Sequence, residues 1–186
     1  MVLIVFGTLL ASACAAPPDK EMQQAKGAIE AARAAGADRY AHEEFAAAEA
    51  ALKNSEAAVV QRDYRLALNH ALDSRDRAQT AAMQAADNKA IARSDADHAL
   101  VSAMAALNDA HTKLKAAESA KPQPKPLAQS QKAIADADAA VQEARTKFDA
   151  GDYLAVIEMM RPLPASLKAA TDAVEPPPAP APRRRR

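Results

Sequence analysis

The chain has 186 residues, enough for one or two small domains, and 49% of them are apolar although only 3% are aromatic. Alanine supplies much of the apolar share, and with four Gly and no Trp the composition argues for thin helix-on-helix packing and against a sheet-rich or glycine-loop cofactor fold. The 24 basic and 24 acidic residues cancel, but Arg183, Arg184, Arg185 and Arg186 end the chain, so the remainder holds 20 basic against 24 acidic and only the tail suits a polyanion.

In chain order, Val2 to Leu10 is a short apolar run followed by small residues, Ala11-Ser12-Ala13-Cys14-Ala15-Ala16, and then Pro17-Pro18. That order reads as a signal peptide over 1–13. The run falls short of the ~20 apolar residues a membrane span requires. The basic residues that usually precede such a core are missing, so either translation starts upstream of Met1 or the amino terminus alone supplies the charge. Cys14 is the only cysteine, which rules out an intramolecular disulfide.

A first helix is expected over about Lys20 to Ala35, started by Pro18 and Asp19 and closed by Gly36. A second is expected over about His42 to Gln61. A third runs from Asp63 to about Ser119 without a Gly or Pro and reaches ~80 Å if unbroken; a local break near Asp95-Ala96-Asp97 is the alternative. Lys121 to Pro126 alternates proline and is expected to form an extended linker. A fourth helix follows over about Leu127 to Ala150, ended by Gly151, and a fifth begins at Asp152, breaks at Pro162 and Pro164, and resumes over Ala165 to Val174. Residues 175–186 form a proline-rich, arginine-tipped spacer expected to stay unfolded.

The large apolar residues repeat every seven: Phe45, Leu52 and Val59 in one helix, Leu127, Ile134, Val141 and Phe148 in another, with small residues such as Ser55, Ser130 and Ala137 between them. An offset of 89 residues superposes the rows and carries Asp63-Tyr64 onto Asp152-Tyr153. The expected architecture is all-α: two diverged copies of an elongated antiparallel helical hairpin, with coiled-coil-like or tetratricopeptide-like packing, joined by the long helix. In each copy the aspartate is expected to cap the second helix and the tyrosine to pack across the turn onto the first. The implied division is 1–13 signal peptide, 14–19 lipidated linker, 20–120 helical hairpin with the long helix, 121–126 linker, 127–174 second hairpin and 175–186 tail.

Ala11-Ser12-Ala13-Cys14 resembles the lipobox of bacterial lipoproteins, with Leu10 one place earlier than the leucine of the usual pattern. The resemblance implies a diacylated Cys14 as first mature residue, and Ala15 after it resembles the sorting signal of enteric outer-membrane lipoproteins. Ala11-x-Ala13 and Ala13-x-Ala15 equally fit ordinary signal-peptidase cleavage, so secretion to the periplasm and an uncleaved anchor stay open. Gly36-Ala37-x-x-Tyr40-Ala41 followed by Asp63-Tyr64-x-x-Ala67 and a long alanine-rich helix resembles a group of bacterial envelope lipoproteins known as domain of unknown function 4398, over about Ala25 to Ala92. That family carries no established activity to transfer. Gly151-Asp152-Tyr153 is also similar to the turn inside a tetratricopeptide repeat, which would imply protein binding.

No catalytic, cofactor-binding or metal-ligating residue is assigned. Gly-x-Ser-x-Gly, Walker and dinucleotide motifs are missing, and His42-Glu43-Glu44 lacks the second histidine of a zincin. Asp95, Asp97, His98, Asp109 and His111 are the densest group of acids and imidazoles, and read foremost as a solvated helix face. The expected role is a non-enzymatic helical adaptor or structural lipoprotein, held to the outer membrane by its anchor and facing the periplasm. Envelope proteins or peptidoglycan are the expected partners, a homo-oligomer is possible, and nucleic acid is not expected. Two alternatives are carried: envelope polyanion binding through Arg183, Arg184, Arg185 and Arg186, and weak metal binding by a periplasmic stress protein.

Overall fold

A computed structural model describes residues 16–119 and 124–174. Within them the chain is all-α, in seven helices: α1 (Asp19–Ala34), α2 (Ala37–Tyr40), α3 (His42–Val60), α4 (Tyr64–Ser119), α5 (Pro124–Asp149), α6 (Tyr153–Met160) and α7 (Leu163–Asp172). The signal segment 1–13, Cys14 and Ala15, residue 120, residues 121–123 of the expected linker and the tail 175–186 lie outside the described residues.

The chain divides into two compact units between Asn88 and Lys89, inside α4, rather than at the proline-bearing segment 121–126. Residues 86–91 are all exposed, so no core side chain bridges this stretch of the helix. The first unit contains α1, α2, α3 and the N-terminal part of α4. The second contains the C-terminal part of α4 with α5, α6 and α7. α4 thus serves as last helix of one unit and first of the next, and it passes Asp95, Ala96 and Asp97 without a break. Ala96 is buried there while the aspartates on either side face solvent, the ordinary arrangement on an amphipathic helix.

In the first unit, α1 lies antiparallel to α3, with Lys26 paired to Glu56 at 3.0 Å and Arg33 to Glu49 at 2.7 Å, rungs seven residues apart on both helices. These exposed pairs add little stability and serve mainly to mark register. The core between the helices is nearly all alanine: Ala25, Ala32, Ala48, Ala51, Ala58, Ala67, Ala71, Ala78, Ala81 and Ala85 are buried, with Ile29, Tyr40 and Phe45 as the large members. Small side chains let helix axes approach toward the short end of the usual ~8–10 Å range.

Two serines record how close the approach is. Ser55 Oγ donates to the carbonyl of Ala67 at 2.7 Å, and Ser74 Oγ donates to the carbonyl of Ala48 at 2.8 Å. A hydroxyl one bond beyond Cβ reaches the backbone of the facing helix only when the two backbones nearly touch. Both serines are fully buried, and the bridge supplies the partner that a buried hydroxyl needs. The two bridges are one heptad apart along α3 and α4.

The second unit repeats this ladder. Ser130 Oγ donates to the carbonyl of Ala170 at 2.6 Å. Moved back by 89 residues, these two fall on Ala41 and Ala81, one further heptad along the same antiparallel register. The break at Pro162 and Pro164 divides the corresponding helix into α6 and α7 without losing that register. On the other side, α4 lies antiparallel to α5 through Arg145 and Met104 Sδ at 3.1 Å, His111 and Asp138 at 3.1 Å, and Gln131 and Glu118 at 2.9 Å, again seven residues apart. Here the core is heavier, with Leu100, Leu107, Ile134, Val141, Val156, Met160 and Leu167 buried together.

The turns repeat as well. After α3, the Arg62 amide bonds to the Val59 carbonyl at 2.9 Å and the Asp63 amide to the Ala58 carbonyl at 3.0 Å. After α5, Gly151 bonds to Phe148 at 2.9 Å and Asp152 to Lys147 at 2.9 Å, the same pair of bonds 89 residues on. Both are Schellman closures, whose central residue must adopt a left-handed conformation. Gly151 does so at φ 79°, and Arg62 does so at φ 61° without the freedom of glycine.

Several local expectations are corrected. On α3 the buried seam is Phe45, Ala48, Ala51, Ser55 and Ala58, while Leu52 and Val59 are only half-buried. The close approach of alanine faces moves the larger neighbours to the flank of the seam. Pro124, Lys125 and Pro126 belong to the first turn of α5 rather than to an extended linker. Amides in a first turn have no intrahelical acceptor, so prolines cost nothing there. α2 is an unanticipated turn of helix between Gly36, at φ 86°, and Ala41. Asp63 caps α4 as expected, accepting from the Leu66 amide at 3.0 Å, whereas Asp152 holds the N-cap position of α6 without a side-chain cap bond. Tyr153 packs edge-on against Phe148 across the turn, with ring centroids 5.2 Å apart. Tyr64 lies instead beside the start of α1.

Candidate functional site

Because α1 and α4 both run antiparallel to α3, the start of α1, the end of α3 and the start of α4 meet at one end of the first unit. Pro18 precedes α1 and accepts its first backbone bond, from Met22 at 3.0 Å. A shallow groove there is lined by Ala16, Pro17, Pro18 and Glu21 from the chain entry and by Tyr64, Arg65 and Leu68 from α4. The α3–α4 turn beside it carries Val60, 83% exposed, and Leu66, 40% exposed. Arg62 and Arg65 stand among them in solvent. The Asp63 carboxylate at this end is engaged in capping α4.

Elsewhere the described surface is helical and mostly polar, with Met83, Ile91, Val101 and Leu154 as further exposed large apolar side chains. Arg77 donates to Asp73 at 3.0 and 3.1 Å and to Glu44 at 3.2 Å. Its pKa is raised, first by the Asp73 hydrogen bond and charge and then by Glu44, so the guanidinium stays charged. In the second unit a shallow groove is lined by Ala90, Arg93, Ser94, Asp97 and Phe148.

The structure disperses the acid and imidazole residues of the sequence. His111 pairs with Asp138 at 3.1 Å, and His42 Nδ1 lies 3.3 Å from the carbonyl oxygen of Asp38. Asp95, Asp97 and His98 are exposed along α4. Among the described residues no group of three or more His, Cys, Asp or Glu side chains converges in a way that could hold a metal ion. Among them, too, no buried side-chain nitrogen or oxygen lacks a hydrogen-bond partner. No described helix is long and apolar enough to cross a membrane. The predicted site residues Cys14, Arg183, Arg184, Arg185 and Arg186 lie outside the described residues.

Sequence reasoning missed the apolar end of the first unit. Val60 falls one place past the Phe45, Leu52, Val59 row and Leu66 one place before the buried Ala67, so both lie off the packed faces of their helices, and that offset was the signal in the sequence. Compared with protein-family models, with curated proteins and with solved structures, the chain matches none.

Proposed function

We propose that this chain is a lipid-anchored protein of the bacterial cell envelope that acts without catalysis, as a helical adaptor or structural element in the periplasm. The observation that carries the reading is the single cysteine, Cys14, set behind an apolar run and three small residues and directly ahead of Ala15-Ala16-Pro17-Pro18. A diacyl anchor provides the two or more chains that stable membrane attachment requires. Two helical units following at once after such an anchor suit a protein that presents helix faces to envelope proteins or peptidoglycan. Labelling with a radioactive or clickable fatty acid tests the anchor: the wild-type chain is expected to take up label and fractionate with membranes, and Cys14→Ser is expected to lose both properties. Membrane association that persists in the unlabelled variant refutes the anchor. Crosslinking in cells at native expression tests the adaptor, and recovery of the monomer alone counts against it.

A second reading rests on the four terminal arginines behind Pro176-Pro177-Pro178-Ala179-Pro180-Ala181-Pro182. Guanidinium groups pair well with phosphate and carboxylate, which lipid headgroups, lipopolysaccharide and cell wall all offer. Removing residues 175–186 is then expected to weaken binding to anionic vesicles in a salt-dependent way. Equal binding without the tail refutes it.

A further inference from the structure

The end of the first unit at which the described chain begins carries a small apolar surface with a basic border. Val60 closes α3 almost fully exposed and Leu66 stands exposed in the first turn of α4 beyond the α3–α4 turn, while Tyr64 and Leu68, on the opposite side of that helix, line the groove shared with Pro17 and Pro18 at the same end of the unit. Arg62 and Arg65 rise from the same turn. A valine and a leucine held outward on a rigid, doubly bonded turn gain nothing from water, and arginine stems lie readily along an apolar boundary with their heads among phosphates. Tyrosine is likewise favoured where apolar and wet regions meet.

We infer that this end, Val60, Arg62, Tyr64, Arg65 and Leu66, lies against the lipid surface into which the chain is anchored, so that the first unit stands on the membrane by its α3–α4 turn. The inference rests on the anchor reading above. Lipid is the occupant because of where the chain enters: Ala16 lines the groove, and Cys14 is two residues before it. A trans chain spans at most ~3.6 Å per residue, so an acylated Cys14 keeps this end within about 7 Å of the anchored backbone. Any other partner for the patch would have to fit between the unit and the bilayer. The acids at this end, Asp19, Glu21 and the capping Asp63, balance Lys20, Arg62 and Arg65, so the contact is made by the apolar side chains and depends little on salt.

The chain has no tryptophan, which makes a single introduced indole a clean reporter. Val60→Trp and, separately, Leu66→Trp are prepared in the full lipidated chain and reconstituted in phosphatidylethanolamine–phosphatidylglycerol vesicles, with and without lipid brominated on its acyl chains. Met83→Trp is the control: Met83 is 64% exposed and lies ~28 Å along α4 from Tyr64. The expected result is blue-shifted emission and bromine quenching at positions 60 and 66 and neither at 83. Acylated protein whose indoles at 60 and 66 stay unquenched overturns the inference and leaves the anchor intact. A blue shift that appears without lipid and grows with protein concentration also overturns it, because a second copy then covers the patch. A Cys14 that carries no acyl group removes the anchor reading, and the inference falls with it.

Discussion

Replacing Ala48 with leucine is expected to damage the first unit more than deleting either serine bridge. Ala48 has no exposed surface, and its carbonyl accepts the Ser74 hydroxyl at 2.8 Å, so the facing backbone is already at contact. Leucine adds three carbons to a seam without room for them, and overpacking of this kind costs about 1–3 kcal/mol. Forcing the helices apart also releases the Ser74 hydroxyl, for about another 1 kcal/mol. The combined loss corresponds to a midpoint lowered by roughly 10 °C or more for a unit of this size. Ser74→Ala removes the same hydrogen bond but regains about 0.5 kcal/mol of helix propensity, leaving a net cost near 0.5 kcal/mol. Ala50→Leu, on the exposed face of α3, is the control and is expected to stay within about 0.5 kcal/mol of wild type. Urea titration followed by far-ultraviolet circular dichroism gives all three values, with the slope unchanged if only stability is affected. If Ala48→Leu is as mild as Ala50→Leu, the seam is loose and the account of the serine bridges is wrong.

The two Schellman turns make a reciprocal test. Arg62→Gly is expected to raise the thermal midpoint and Gly151→Ala to lower it by the equivalent of about 1 kcal/mol, because both positions are left-handed and a Cβ at Gly151 meets no atom within 4 Å, which leaves backbone strain as the only term. Shifts of the same sign in calorimetry would refute the shared geometry. Arg77→Met is expected to lower the midpoint by less than Ser74→Ala does, and by less still as salt is raised, since its partners Asp73 and Glu44 are 49% and 29% exposed. A large, salt-independent loss would show that the Arg77 cluster bears on packing.

The all-α class and most helix bounds were legible because alanine, the seven-residue period and the Gly and Pro positions all act locally. The 89-residue repeat was legible from Phe45 and Ile134, Asp63 and Asp152, and its reality shows most sharply in features no pattern contained: two closures with the same hydrogen bonds and three serine bridges on one register. Ser55 and Ser130 read from the sequence only as small spacers, since whether a hydroxyl meets a carbonyl depends on the facing helix. The same dependence misplaced Leu52 and Val59, because which of two adjacent positions enters a seam is decided by how close the partner comes. Arg62 in a left-handed turn gave no signal of its own, and only the 89-residue offset that aligns it with Gly151 marks the position.

The unequal cores of the two units lead to a further expectation. In the first, burial is carried by alanine and serine with Ile29, Tyr40 and Phe45; in the second, seven larger side chains from Leu100 to Leu167 are buried together. Each large aliphatic side chain contributes about 1.5–3 kcal/mol on burial, whereas a net hydrogen bond such as a serine bridge contributes about 1 kcal/mol. Alanine loses no side-chain entropy, but that saving does not make up several missing leucines. The first unit is therefore expected to open at lower free energy than the second. Hydrogen exchange read by mass spectrometry should show α1 and α3 exchanging faster than α5, and should divide α4 itself, with Tyr64–Asn88 less protected than Lys89–Ser119. The division is expected within residues 86–91, where no side chain is buried and, apart from the Asn88 side chain donating to the Tyr40 carbonyl at 2.6 Å, only the helical backbone carries cooperativity. Uniform protection along α4 would mean that helix continuity, and not the packing of each unit, sets local stability, and would refute the assignment of Asn88–Lys89 as the boundary between two folding units.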